Sequence, residues 1–457
     1  SNNTGVGRQA LALNTTGANN VAVGQGSLDA NTTAANNTGL GTQTLSANTT
    51  GTANTAVGYA ALEANTTADS NTAVGFTALL ANTTGTRNTA VGTLAMEDNT
   101  TGTNNTAVGK GALANNTTAD DNCAFGIESL FDNTTGAGNT AYGYATLANN
   151  TTAANNTAVG KNAMVANTTG TNNTAVGNLA LTTNTTTNNN TAVGVSALQA
   201  NAAGSENQAF GTFALTSNTT GGDNTAVGYN SLGAATTGDN NVALGMRAGE
   251  TLTTGTHNVL IGKNAGSYDG ADITTGTQNV VVGNFNKVSA ADAANQIVMG
   301  YYATGNANNS FVIGNGATDS AIAFGGDAVT VPSDIRLKED IQDEEVGLDF
   351  INDLRPVTFQ WKKEKDVPSD MNAYKADSET RVMNGKYNHG FIAQEVKEVI
   401  DNHNLKEGFE MWQEDEADGR QRLGKGALMS VMVKAVQELS AQVEELKSQP
   451  KCKCNEE

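Results

Sequence analysis

Ser333 and Lys338 stand five residues apart in the stretch Pro332-Ser333-Asp334-Ile335-Arg336-Leu337-Lys338. A serine hydroxyl becomes a nucleophile only when a base takes its proton, and a lysine serves as that base when burial or nearby cations lower its pKa. Arg336 would supply part of such a field, and Asp334 would orient the backbone. The chemistry open to this set is acyl transfer. On residue types and spacing alone, however, the segment reads better as a solvated charged run leading into a strand.

The other reactive side chains are sparse. His389 precedes Gly390-Phe391-Ile392, where a hydrogen-bonded structural histidine is the better reading than a catalytic one. His257 and His403 have no motif around them. Cys123 takes a position where other repeats carry Thr, and a small buried thiol is expected there. Cys452 and Cys454 form a Cys-x-Cys near the C-terminus, too few thiols for a metal cluster except across an oligomer, and a reduced exposed tail is expected. No zinc spacing, carboxylate pair or phosphate loop stands out, so neither a cofactor nor a metal is expected.

The elements that would position these residues begin with a repeat. Gly7, Gly24, Gly41, Gly58 and their successors through Gly262 recur every 17 residues, sixteen glycines in one register. Asn14, Asn31, Asn48 and their successors through Asn218 keep the same spacing and are nearly always followed by Thr-Thr. Self-similarity at so short a period marks a solenoid whose units bury a core only by stacking. Seventeen residues leave room for two short strands and two turns. The Asn-Thr-Thr triplets match a glycosylation acceptor, but their strict phase reads as a structural turn and ladder. An ice-binding threonine face is a further, weaker reading of the same triplets.

In Thr55-Ala56-Val57-Gly58 the neighbours Ala56 and Val57 point to opposite faces of a strand, yet both are apolar. A strand apolar on both faces is buried on both faces. The pair Ala61-Leu62 is expected to behave in the same way, its Leu recurring at Leu79, Leu113 and Leu130 and replaced by Met96 and Met164. One face fills the coil's interior and the other requires a partner, so the rod is expected to be oligomeric, with a homotrimer the natural number. Sixteen coils at about 4.8 Å each make a rod roughly 75 Å long. After Gly262 the register loosens, with glycine spacings of 21, 17, 14 and 11 through Gly325. Residues 263–332 read as a tapering transition, and the insertion at 267–275 as an exposed loop and a weak candidate for binding.

Composition changes sharply near residue 332. Residues 1–332 carry seven Lys plus Arg against eighteen Asp plus Glu, whereas residues 333–457 carry eighteen against twenty-seven and hold both tryptophans. No proline precedes Pro332. The 125 residues that follow are enough for a core of their own. Both parts are acidic within a net charge of −20, which leaves no basic surface for nucleic acid. No run of 18 apolar residues exists to insert in a membrane, and no signal peptide precedes the repeats, although the chain starts in mid-repeat at Ser1.

Three segments of the C-terminal part carry a resemblance. They are Pro332-Ser333-Asp334-Ile335-Arg336-Leu337-Lys338-Glu339-Asp340-Ile341, then Leu354-Arg355-Pro356-Val357-Thr358-Phe359-Gln360-Trp361, then His389-Gly390-Phe391-Ile392-Ala393-Gln394-Glu395-Val396. In this order, and followed by a terminal helix, they resemble the intramolecular chaperone domain that ends endosialidases and other bacteriophage tail spikes and fibres, with relatives in the myelin regulatory factor family. The resemblance implies an α+β domain over residues 333–457 that assembles as a trimer, guides folding of the fibre upstream and then cuts itself free. It implies Ser333 as nucleophile, Lys338 as general base and Pro332-Ser333 as the scissile bond. Asp334, Arg336 and His389 stand beside that dyad as candidate supporting residues, read from their own chemistry and not from the resemblance.

The last helix, expected over about 427–448, has a seam of Met429, Met432, Val436, Leu439, Val443 and Leu446, spaced three and four apart as in a coiled coil. Three heptads are marginal alone, so the seam closes an oligomer already brought together by the domain; an amphipathic helix packed on its own domain is the alternative. The expectation is therefore a mainly β, trimeric parallel solenoid with an α+β chaperone and single-turnover autopeptidase at its end. Such a protein would be a virion tail fibre or spike that meets a host receptor or glycan. A cell-surface trimeric adhesin is the rival, and it needs an anchor that the sequence does not show. A polysaccharide hydrolase is less favoured, because the rod has no carboxylate cluster or aromatic-rich sugar platform and aromatic residues make up only 5% of the chain.

Overall fold

The computed structural model describes residues 2–457 apart from 269–271, 317, 318, 325–338, 370, 372, 384, 406–408, 410, 415–420, 425 and 450–457. The chain divides into two compact units, Ser1–Pro332 and Ser333–Glu457.

The first unit is a parallel β-solenoid. Twenty strands, β1 (Thr4–Val6) to β20 (Ser320–Ala323), form one sheet. Each pairs with the next in register, so that Thr55-Ala56-Val57 lies on Thr72-Ala73-Val74 and on Thr38-Gly39-Leu40. The order is parallel until β19 (Ser310–Gly314), on which β20 folds back antiparallel. The irregular spacings after Gly262 do not break the stack: β17 (Val280–Val282) and β18 (Gln296–Gly300) continue the register.

Each regular coil carries one strand of three residues, where two strands were expected. Its middle residue is fully buried, as Ala56, Ala73 and Ala90 are, while the first and third residues face outward. Cys123 is the first residue of its strand and is therefore exposed; a buried thiol was expected, and strand alternation explains the difference. The second apolar pair is not a strand. Ala61 and Leu62 both lie fully buried in a turn, with Leu62 in the left-handed region at φ 53°. Ala60 (φ 52°) and Ala53 (φ 59°) share that conformation. Left-handed residues aim successive amides up and down the stack: Ala60 N–H donates to the Thr42 carbonyl of the preceding coil, and Leu62 N–H to the Ala78 carbonyl of the next, at 3.0 and 3.1 Å. Such backbone costs about 1–2 kcal/mol per residue. The coil-to-coil bonds and the burial of the Leu side chain hold it in place.

Two asparagine ladders complete the interior. Asn65 Nδ2 donates to Asn48 Oδ1 (2.9 Å) below it and to the Ala68 carbonyl (3.1 Å) at the turn. In the second ladder Asn71 N–H donates to Asn54 Oδ1 (2.9 Å), while Asn54 Nδ2 reaches the same Ala68 carbonyl at 2.8 Å. These asparagines are fully buried, so their polar atoms must be matched, and the ladders do so until the first ends at Asn218, whose Oδ1 has no partner because Ala235 follows it. The Asn-Thr-Thr triplet is thus a structural element. Its first Thr also bonds along the stack, as Thr66 Oγ1 to the Thr83 carbonyl at 3.2 Å.

The interior changes character near the C-terminal end of the unit. The central strand residue, Ala or Gly through Ala243, becomes Leu260, Val281, Val298 and Val312. The first asparagine ladder gives way to Ala235, Leu252 and Ile273, all fully buried.

The second unit is small and α+β. Helix α1 (Leu348–Asp353) leads to β21 (Val357–Phe359), which pairs antiparallel with β22 (Asn388–Gly390). Helix α2 (Ala393–Asn402) follows, then a hairpin of β23 (Trp412–Glu414) and β24 (Gln421–Leu423), and finally α3 (Gly426–Ser448). Phe350, Leu354, Val396, Ile400, Met411 and Val431 form its core. No helix among the described residues is long and apolar enough to cross a membrane.

Candidate functional site

The site expected from sequence divides in two. Pro332, Ser333, Asp334, Arg336 and Lys338 lie outside the described residues. The second and third motifs are described, and the fold brings them together.

Val357, Thr358 and Phe359 of the second motif face Gly390, His389 and Asn388 across the β21–β22 ladder. His389 therefore sits in a strand opposite Thr358, with its side chain exposed. Just beyond the strands the motifs meet again through charge: Arg355 Nε donates to Glu395 Oε2 at 2.9 Å, and Arg355 Nη2 bonds Glu395 Oε1. A bidentate guanidinium–carboxylate fork fixes orientation as well as distance. The Arg355 bonds hold the Glu395 carboxyl below its ordinary range and push the guanidinium up. Leu354 and Val396, adjacent to the pair, are buried in the core, which anchors both arms of the fork. Sequence reading left Arg355 and Glu395 without roles. Their signal was one unmatched basic and one unmatched acidic residue in two motifs of otherwise apolar character.

Between β21 and β22 the chain makes an excursion held by a second set of ion pairs. Lys363 and Lys365 both bond the Glu379 carboxylate, and Lys375 Nζ bonds Glu364 Oε1 at 2.9 Å. The two lysines pull the Glu379 pKa down to about 2. A groove of about 1040 Å³ opens beside this excursion, lined by Trp361, Val367, Met371 and Met383 together with Ile392 and Gln394 of the third motif.

The three helices are tied by specific contacts. His403 Nε2 lies 2.8 Å from Asp353 Oδ2, joining the end of α2 to the end of α1, and its ring meets Phe350 edge-on. Leu348 N–H at the start of α1 donates to Glu438 Oε2 of α3 at 2.8 Å. Gly347 permits that approach, since a Cβ there would lie 2.4 Å from the same carboxylate oxygen. On α3, Val431 and Ala435 turn inward and are buried. Met429, Met432, Val436, Leu439, Val443 and Leu446 all point away from the unit and are exposed. Of the two readings of this helix, packing on its own domain accounts for the first set and leaves the whole seam free.

Residues 333–405 match the sequence profile of the family described as chaperone of endosialidase. No curated protein and no solved structure matches the chain.

Proposed function

A chaperone-of-endosialidase region at the end of a parallel β-solenoid is the make-up of a protein like a phage tail spike or fibre, and from that premise we propose that this chain is a homotrimeric fibre whose C-terminal unit directs assembly. The observation that carries the reading is the exposed seam of α3. Six apolar side chains at three-and-four spacing have no partner within the described residues of one chain, and a coiled coil between copies would cover them. The outward strand positions make the same demand along the rod, where Leu40, Phe125, Tyr142 and Leu244 are exposed. Host-surface attachment is the role such a fibre would serve in a virion.

The unit then releases itself. Ser333 Oγ attacks the carbonyl carbon of Pro332 while Lys338 takes the hydroxyl proton. As the C–N bond breaks, that proton passes to the departing nitrogen. Water hydrolyses the resulting ester, leaving the Pro332 carboxylate and the Ser333 amine. Because the hydroxyl is held beside its own preceding carbonyl, no bimolecular encounter is needed, and one cut per chain leaves the assembled rod kinetically trapped.

The test is an intact-mass measurement on freshly expressed protein. Cleavage gives residues 1–332 and 333–457. Ser333→Ala is expected to leave the full-length chain yet still give trimers by sedimentation, and Lys338→Ala to slow the cut severely. Continued cleavage at Pro332-Ser333 in Ser333→Ala would overturn the dyad, and a stable folded monomer would overturn the trimer.

A further inference from the structure

The coil between Gly262 and Gly283 is 21 residues long where a regular one has 17, and it adds Tyr268 to the rings of the two coils that follow. Phe285 and Tyr302 occupy equivalent places in successive coils, each two residues after the conserved-register glycine, and stack face to face at 5.0 Å and 15°. Tyr268 reaches in from the insertion and meets both edge-on, at 4.9 and 5.3 Å. Tyr301 stands edge-on to Tyr302 at 4.5 Å and is 53% exposed. Lys263 Nζ stands 5.2 Å from the centre of the Phe285 ring.

We propose that Tyr268, Phe285, Tyr301 and Tyr302, with Lys263, form a carbohydrate-binding platform on the rod. The inference rests on the surface-attachment reading above and adds the ligand class and its place. A pyranose has an apolar C–H face that packs on an aromatic ring and a rim of hydroxyls that need donors and acceptors. This cluster offers both within one patch: exposed ring surface at Tyr301, a run of phenols, and an ammonium group. A purely apolar partner would bury the phenols and the Lys263 amine without matching them. The low aromatic content of the whole chain hid the platform, because stacking in register brings Tyr268, Phe285 and the Tyr301-Tyr302 pair together from three separate stretches of sequence.

The experiment uses the full chain on an array of oligosaccharides released from bacterial lipopolysaccharides and capsules, followed by titration of each retained sugar. Tyr301→Ala and Lys263→Ala are expected to weaken binding at least tenfold. Tyr59→Ala is the control: Tyr59 holds the same coil position as Tyr301, one residue after its glycine, but stacks on Phe76 alone, and its loss should leave affinity unchanged. The proposal fails if a sugar binds equally to parent and Tyr301→Ala, or if no sugar is retained. It also fails if Tyr301→Ala alters the sedimentation coefficient, which would make the cluster an interface between copies. Adsorption of labelled fibre to bacterial cells, scored in parallel, separates the two readings: adsorption that survives Tyr301→Ala keeps attachment and removes the platform, whereas no adsorption to any cell tested removes attachment itself.

Discussion

At the scale of single residues the strictest position is the glycine that closes each strand. Gly58 has φ 132°, and a Cβ on it would lie 2.2 Å from the Gly75 carbonyl oxygen of the next coil. No rotation relieves that contact, because the backbone fixes a Cβ in place and every atom it would meet is backbone of Gly75. Gly58→Ala should therefore lower stability by roughly 3 kcal/mol or more, beyond the 1–3 kcal/mol usual for backbone strain; an unchanged thermal midpoint would contradict this account. The period of these glycines was plain in the sequence. The left-handed backbone at Leu62 and its equivalents was not, since that region is normally flagged by Gly or Asn, and a leucine there reads as an ordinary strand residue. A second prediction concerns Glu379, whose carboxyl is held down to about 2 by hydrogen bonds from Lys363 and Lys365. Its folded pKa is depressed, so its contribution is in place above the ordinary value near 4.5 and is lost as pH falls from there towards 2. An NMR titration should place the Glu379 midpoint near the lower value and move it upward in Lys363→Ala. A midpoint in the ordinary carboxylate range for the parent would break the claim.

At the scale of elements, α3 shows how one helix serves two neighbours. Its bounds, Gly426–Ser448, lie within a residue of the 427–448 read from the three-and-four spacing. That spacing was legible because apolar residues on an exposed stripe have no other reason to keep phase. The inward face was harder to see: Val431 and Ala435 are few, and Glu438 is charged, yet it is this carboxylate that meets the start of α1. Substituting the two faces should separate their roles. Leu439→Glu should disperse the oligomer with little change in the helical circular-dichroism signal, while Val431→Asp, which buries an unpaired charge, should cost the fold of the unit. Equal sedimentation of Leu439→Glu and the parent would show that the seam holds nothing. The Arg355–Glu395 fork was legible only in part, because sequence gives the two charges but not the antiparallel β21–β22 pairing that brings their motifs side by side.

At the scale of the whole molecule, the solenoid's register is repeated rather than locally specified. Successive regular coils are nearly interchangeable, so pairing could slip by a whole coil with little penalty until an end is reached. The coils are not uniform in strength, however. From Leu260 onward the strand centre is Leu or Val where earlier coils have Ala or Gly, and Leu252 and Ile273 replace asparagine. Two or three added carbons per strand centre contribute roughly 2 kcal/mol per coil at about 0.8 kcal/mol per buried methylene. The repeat therefore has a polarity that its period conceals. If assembly starts where the coils are most strongly held, growth of the rod runs against the direction of translation, and the earlier repeats wait, as free ends of a zipper wait for its slider. In exchange experiments the amides of Leu260, Val281 and Val298 should be the last to take up deuterium, with protection falling coil by coil towards Thr4. A gradient in the opposite sense would place the starting point at the other end.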